Sequence, residues 1–567
     1  MKQKAKTPSL HLSTVALAVG LLTLAPAAAA DLTWTGTTNA NWSGANWNGG
    51  TAADSGVDKL FFAGTTNLST NNDLVGYTAA GVPAITFLSG AGAFTLSGNS
   101  ISLSGNITNS SSNLQTINLG LALVSSSTFT AGAGGGNLTV GGIISGANGV
   151  TVTGPGIITL SGSNTYSGST TLVGTTTTLR VGHNSALGTG TVDLGAAVTM
   201  QAEGADITLA NSGVFITPIF SGSQSLTFTG KLIANNGSRR ITNNISAGKS
   251  LTLTDLDISS TDRNRNLELL GSGDTKIIGT IANGGTATAS SLTNNTTGVT
   301  TLSGTNTYNG TTTVSNGTLV ISGGGSINSS SGVSIGGTSS RLRYDSTVGL
   351  NRTVAVTTGG TFIYNSASNY TGAFTFTSGH LGGSNWNGSL GNLTIGADQT
   401  INPGNSPGTA ITTSQTWASL GTYNWEINQA TGGTAGNDPG WDLLELSGTL
   451  SLTATEASRF EIHIVSLKLD NTAGDAVGFD AALSYQWLIA DAANPILGFS
   501  ADKFFINTAD FSNTFDGSFG VALGNTGGIG GDDSQLYLVY TAVPEPGVVG
   551  LLGLAGLGAL AVRRRRA

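Results

Sequence analysis

Short apolar alternations recur along most of the chain. "AFTLSGNSISLSGNI", "VTVTGPGIITLSG", "KSLTLTDLDI" and "NLTIGADQTI" place Leu, Ile, Val or Phe at alternate positions, with Thr or Ser between them. A period of two predicts a strand with one buried and one outward face. Gly, Asn and Ser follow the runs and supply the positive φ that a tight corner needs. The next run then begins without a segment of helical period. Strands this short bury their apolar face by stacking on the next copy. The pattern predicts an all-β chain: a right-handed parallel β-helix or β-solenoid, with Val, Ile, Leu and Phe stacked inside and Thr, Ser and Asn in outward ladders. A many-stranded β-sandwich is the alternative.

One motif repeats at longer range. "LSGSNTYSGSTTL" begins at Leu160 and "LSGTNTYNGTTTV" at Leu302, an offset of 142. Leu160, Gly162, Asn164, Tyr166, Gly168 and Thr171 find the same residue types at Leu302, Gly304, Asn306, Tyr308, Gly310 and Thr313. A looser third copy starts at Ser368 ("SNYTGAFTFTSGHL"). The motif resembles the autotransporter-associated, or passenger-associated, β-strand repeat. That resemblance implies a β-helical extracellular passenger. The usual autotransporter ends in a membrane barrel of alternating strands, and this chain does not, so the passenger architecture travels with a different export address.

Both termini read as addresses. Lys2, Lys4 and Lys6 precede the apolar run Val15–Leu24, and Ala28-Ala29-Ala30 precedes Asp31. This is the layout of a secretory signal helix, with signal peptidase cutting before Asp31. At the other end, Gly547–Val562 carries no charge and would span about 24 Å as a helix, short of a ~30 Å hydrocarbon core. Arg563, Arg564, Arg565 and Arg566 follow it and would stay cytoplasmic. A plain C-terminal transmembrane anchor accounts for the greasy stretch. Pro544, Glu545 and Pro546 at its outer edge, with the apolar span and the arginines in order, resemble a PEP-CTERM sorting signal. The resemblance implies processing by an exosortase-type peptidase near those residues. It also implies transient inner-membrane anchoring and delivery to the cell surface, outer envelope or exterior.

The expected organisation is a signal peptide at 1–30, a cap and first coils at 31–100, and the solenoid at 101–410, with its best repeat copies at 158–181 and 300–321. A C-terminal β domain at 411–541 and the sorting signal at 542–567 complete it. Trp34, Trp42 and Trp47 are read as the cap that keeps the first coil's apolar face from water; a sugar-stacking platform is the other reading.

Composition narrows the chemistry. Charged residues are 9%, against about 25% in ordinary soluble domains. Cysteine is absent, which excludes disulfides and thiolate catalysis. Setting aside Lys2, Lys4, Lys6 and the four tail arginines leaves 15 of 22 basic residues; setting aside Glu545 leaves 29 of 30 acidic ones. The formal net of −14 repels nucleic acid.

"GNSPG" (Gly404–Gly408) matches a serine-hydrolase elbow, but the next residue, Pro407, has no N–H for an oxyanion hole, so a tight turn is expected. "GGIGGDD" (Gly527–Asp533) is one copy of a calcium nonapeptide that needs several. Asp438 and Asp442 could line a hard-cation loop. Asp255, Asp257, Asp262, Arg263, Arg265 and Glu268 form the densest charged stretch, and a lyase or hydrolase could use such acids on a solenoid face; a solvated loop of ion pairs is the simpler account. The histidines have no metal-ligand spacing. No catalytic, cofactor or metal residue is assigned, and the protein is not read as an enzyme. The expectation is an exported structural or adhesive protein of the surface or extracellular matrix, partnered by exopolysaccharide. A carbohydrate-active β-helix enzyme is one alternative. A glycan-binding module with coplanar Trp417, Trp425 and Trp441 is another.

Overall fold

The computed structural model describes Met1 and residues 31–48, 58–75, 82–132, 135–235, 237–383, 390–404, 406–526 and 528–543. The expected signal helix and the transmembrane sorting tail, with Pro544, Glu545, Pro546 and Arg563 to Arg566, lie outside the described residues. Among the described residues no helix is long and apolar enough to cross a membrane.

The chain is all-β and winds into a parallel β-solenoid of about 16 turns. Asp31–Trp34 pairs in parallel with Lys59–Phe62, which pairs with Val82–Phe87, and so on coil by coil. Up to residue 423, partners lie 19 residues apart at Gly213↔Leu232 and 28 at Asp31↔Lys59. At about 4.8 Å per strand spacing, the turns stack to roughly 75 Å.

Alternation decides what faces inward. Thr422–Ile427 buries Tyr423, Trp425 and Ile427, while Thr422, Asn424 and Glu426 are only partly covered. Some coils turn a corner within one strand. Val192–Ala202 pairs through Val192–Leu194 with Thr170–Leu172 and through Thr199–Ala202 with Thr178–Val181. A register shift falls between Ala196 and Thr199, where Ala197 has φ +56°.

The repeated motif is a device for closing a coil. Asn164 accepts the Ile144 N–H (2.8 Å) and donates to the Ala186 carbonyl (2.7 Å), bridging the coils on either side. Asn306 does the same between the Ile281 N–H (2.9 Å) and the Ser326 carbonyl (3.1 Å). Tyr166 and Tyr308 are buried, their hydroxyls paired with Thr170 (2.5 Å) and Thr312 (2.7 Å). The third copy also buries its tyrosine, but the Tyr370 hydroxyl bonds the Arg352 and Ala373 carbonyls in place of a threonine hydroxyl. The motif's glycines mark close approach: a Cβ on Gly304 would sit 1.9 Å from the Gly279 carbonyl oxygen.

Both ends of the stack are sealed. Trp34, Trp42 and Trp47 are buried against Phe62, with Trp47 edge-on to Trp34 at 5.1 Å. This favours the cap and removes the sugar platform, because buried rings offer no stacking face. Asn48 accepts the Thr33 N–H (2.9 Å) and donates to the Asp31 carbonyl (3.2 Å), so a side-chain amide takes the place of a neighbouring strand. At the other end, the parallel ladder runs through residue 411: Thr400 pairs with Thr422, Tyr423 with Ile462, and Ile462 with Ile506. The last two intervals lengthen to 39 and 44 residues. Pairing then turns antiparallel, with Gln535–Thr541 between Tyr485–Ala492 and Ser518–Leu523.

Candidate functional site

A cleft of about 790 Å³ lies on the outer face of the ladder that runs from Ser340–Ser346 to Thr422–Ile427. Its shape follows from missing side chains. Arg343 is in register with Ile363, Ile363 with Gly382 and Gly382 with Asn402. One coil thus contributes a glycine where its neighbours carry side chains, and Gly383 and Gly404 extend the floor. Arg341, Arg343 and His380 stand on one side, and Asn402, Asn424 and Glu426 at the other end. A second hollow of about 430 Å³ shares Thr338 and His380 with it.

Most of these groups are held by neighbours. Arg343 Nε sits 2.6 Å from Asp345 Oδ2, and Asp345 also accepts from Asn365 (2.8 Å). The Asn424 carboxamide oxygen is 2.8 Å from His463 Nδ1, and His463 Nε2 lies 2.9 Å from Asp510. Partial burial and the adjacent Arg341 charge hold His380 below the ordinary imidazole range.

Two carboxyls meet behind the cleft. Ser406 Oγ donates to Glu426 Oε2 (2.5 Å). The Glu426 N–H donates to Asp442 Oδ2 (3.0 Å), and the Gly408 N–H to Asp442 Oδ1 (2.8 Å). Burial, reinforced by the Glu426 charge, pushes Asp442 well above the usual carboxylate range. Burial also raises Glu426 from its ordinary 4.5, against the lowering bond from Ser406. A carboxyl whose folded value is raised binds its proton more tightly when folded. Its contribution is present at low pH and is lost as pH rises through the folded value. Glu426→Gln keeps an acceptor for Ser406 and removes the repulsion. It is expected to raise the thermal midpoint at pH 8 by roughly 2–4 °C and to leave it unchanged near pH 4. Equal midpoints at both pH values in scanning calorimetry would show the two carboxyls uncoupled.

The other sequence candidates fall to structural roles. Ser406 is in the turn expected of "GNSPG", with Gly404 at φ +72° and Ser406 at φ +73°. Asp255 accepts the Thr280 N–H (2.7 Å), Asp257 is ion-paired to Lys231 (2.6 Å), and Glu268 to Arg240 (2.8 Å). The acids expected to share a face for catalysis are thus divided between coil stacking and ion pairs. Asp438 accepts from Asn428 and Asn471, apart from buried Asp442, so no cation loop forms between them. Asp532 closes its own turn on Ser534. Among the described residues no group of three His, Asp or Glu is placed to hold a metal ion. Trp417 and Trp425 are buried, and Trp441 packs on the core with its N–H on the Leu488 carbonyl (3.0 Å), so the coplanar exposed platform does not exist.

The cleft itself escaped sequence reading. Arg343 and Glu426 are 83 positions apart, and only the coil period, followed strand by strand, brings them to one face. No protein-family model, no curated protein and no solved structure matches the chain.

Proposed function

We propose that the protein is an exported structural and adhesive rod of the cell surface or extracellular matrix, associated with exopolysaccharide. One observation carries this. The repeated motif, the only strongly recurring sequence signal, is consumed inside the coils: Asn164, Tyr166, Asn306 and Tyr308 are all buried. What recurs builds length, and what faces out is a succession of Thr, Ser and Asn. Many weak polar contacts along one rigid rod sum by multivalency. The leader at 1–30 and the tail with Pro544, Glu545, Pro546 and Arg563–Arg566 resemble export and sorting signals. They motivate signal-peptidase and exosortase-type processing; a right-handed wind follows the general rule for parallel crossovers, and the rod reading assigns no catalytic residue.

The test mixes the full chain with the producing cell's own extracellular polysaccharide and follows sedimentation and polymer size together. Co-sedimentation with unchanged polymer length is the expected result; no association at all would overturn the adhesive role. A falling polymer length would favour a carbohydrate-active enzyme, a second reading that rests on Glu426. A carboxyl with a raised proton affinity in an open cleft is a fit general acid.

A further inference from the structure

We propose that the cleft floored by Gly382 binds a carboxylate-bearing polysaccharide, laid along the solenoid axis, with Arg341 and Arg343 taking the carboxylate and Asn402 and Asn424 the hydroxyls. The inference deepens the matrix reading and rests on it for the ligand's presence at the cell surface.

The lining chooses the ligand. Among the described residues that line it, Ile363 and Pro403 are the apolar side chains; the rest offer hydroxyl, amide, guanidinium, imidazole or carboxyl groups, or glycine backbone. An apolar peptide would find little there to cover beyond Ile363 and Pro403. A polyhydroxylated chain matches on every side. Asn402 adds a specific demand: its carboxamide oxygen is buried with no hydrogen-bond partner among the described residues, an acceptor suited to a hydroxyl. Arg341 is exposed and forms no ion pair among the described residues, while Arg343 has its Nε on Asp345. A guanidinium presents a planar fork that fits a carboxylate.

The geometry chooses the direction. From Arg343 the register steps through Ile363, Gly382 and Asn402, one position per coil. The next coil carries Asn424 and Glu426, so the run covers four strand spacings, roughly 19 Å. That is room for a few sugar units, and the coil spacing is close to what one unit adds to an extended glycan.

Gly382 provides the decisive variant. Its backbone is not left-handed, and among the described residues the atoms nearest a Cβ there are the Asn402 carbonyl oxygen and Ile363 Cγ1, both at 3.5 Å, ordinary van der Waals contact. Gly383 and Gly404, at φ +110° and +72°, would be strained by any side chain. Gly382→Leu starts from this uncrowded Cβ and places its bulk in the floor, and circular dichroism and the melting midpoint check that the coil stays folded. Affinity electrophoresis of the full chain through gels of alginate, polygalacturonate and hyaluronate, each beside its carboxyl-reduced form, reads binding directly. The expected result is retardation by at least one acidic polymer, lost ten-fold or more in Gly382→Leu and in Arg341→Gln, and weaker on the reduced form.

Retardation unchanged in both variants would overturn the cleft as the site and leave the matrix reading standing. Equal retardation on reduced polymer would overturn the carboxylate requirement. Co-sedimentation with the cell's own matrix without retardation on any acidic gel would overturn this proposal alone, and the absence of both would overturn it together with the matrix reading.

Discussion

Trp47→Ala is expected to destabilise the first coils by about 4 kcal/mol, the upper range for deleting a buried aromatic side chain. The ring is 1% exposed, contacts Trp34, Trp42 and Phe62, and donates its indole N–H to the Trp42 carbonyl (3.0 Å). Its loss removes that hydrogen bond to the Trp42 carbonyl and opens the end of the apolar stack to water. The neighbouring Asn48, whose amide occupies the edge of the first strand, loses its support at the same time. An opened parallel edge is a template for another chain. Each coil contacts mainly its neighbours, so the damage should stay local. Hydrogen exchange should accelerate between 31 and 109 and remain unchanged between 390 and 541. Sedimentation velocity should show end-to-end association. Uniform acceleration along the chain would mean that the stack melts as one unit and that the Trp cluster is not a separable cap.

Gly304→Ala is expected to cost about 3 kcal/mol for the addition of a single methyl group. Overpacking of this kind costs about 1–3 kcal/mol, and each broken hydrogen bond about 1 more. The added carbon would sit 1.9 Å from the Gly279 carbonyl oxygen and 2.4 Å from its carbon, both backbone, so no side chain can swing away. The two coils must part. The bonds that hold them are at hand: Ser303 N–H to Ile277 O (3.1 Å), Thr307 N–H to Ile281 O (2.8 Å), and the Asn306 bridge to the Ile281 N–H (2.9 Å). Gly382→Ala is the matched control and should shift stability by less than about 0.5 kcal/mol. Denaturant midpoints of the two variants decide the matter. Similar values would show that the inter-coil distance at Gly304 is soft and that the motif's glycine serves the corner, not the close approach.

The two glycines show how far sequence reaches. Gly304 belongs to a motif repeated at an offset of 142, and the repetition itself marked it as structural. Alternation in "TYNWEI" likewise places Tyr423, Trp425 and Ile427 on one face, and that face is the core. The tryptophans there invite reading as exposed aromatics only when counted without their strand partners. Gly382 carries no such mark. Its meaning comes from Ile363 before it and Asn402 after it in the ladder, and coil lengths between 19 and 28 residues prevent a reader from adding up the register. Asp442 was visible as an acid beside Trp441, but its burial against Glu426 depends on the turn at Ser406 bringing the Gly408 N–H to it. Continuation of the ladder past 411 was masked in the same way, because the coils there lengthen to 39 and 44 residues.

The direction of the inter-coil hydrogen bonds has a mechanical consequence. They point along the stack, since strands lie across it and pair with the coil above and below. Tension between the two ends therefore loads one ladder at a time and peels coils in succession. A coil of 19 to 28 residues that occupied about 4.8 Å of the stack releases about 65–95 Å of slack. The long coils before the antiparallel end release still more. Such a rod is stiff at rest and yields in steps under load, dissipating work at each step while its remaining length stays folded.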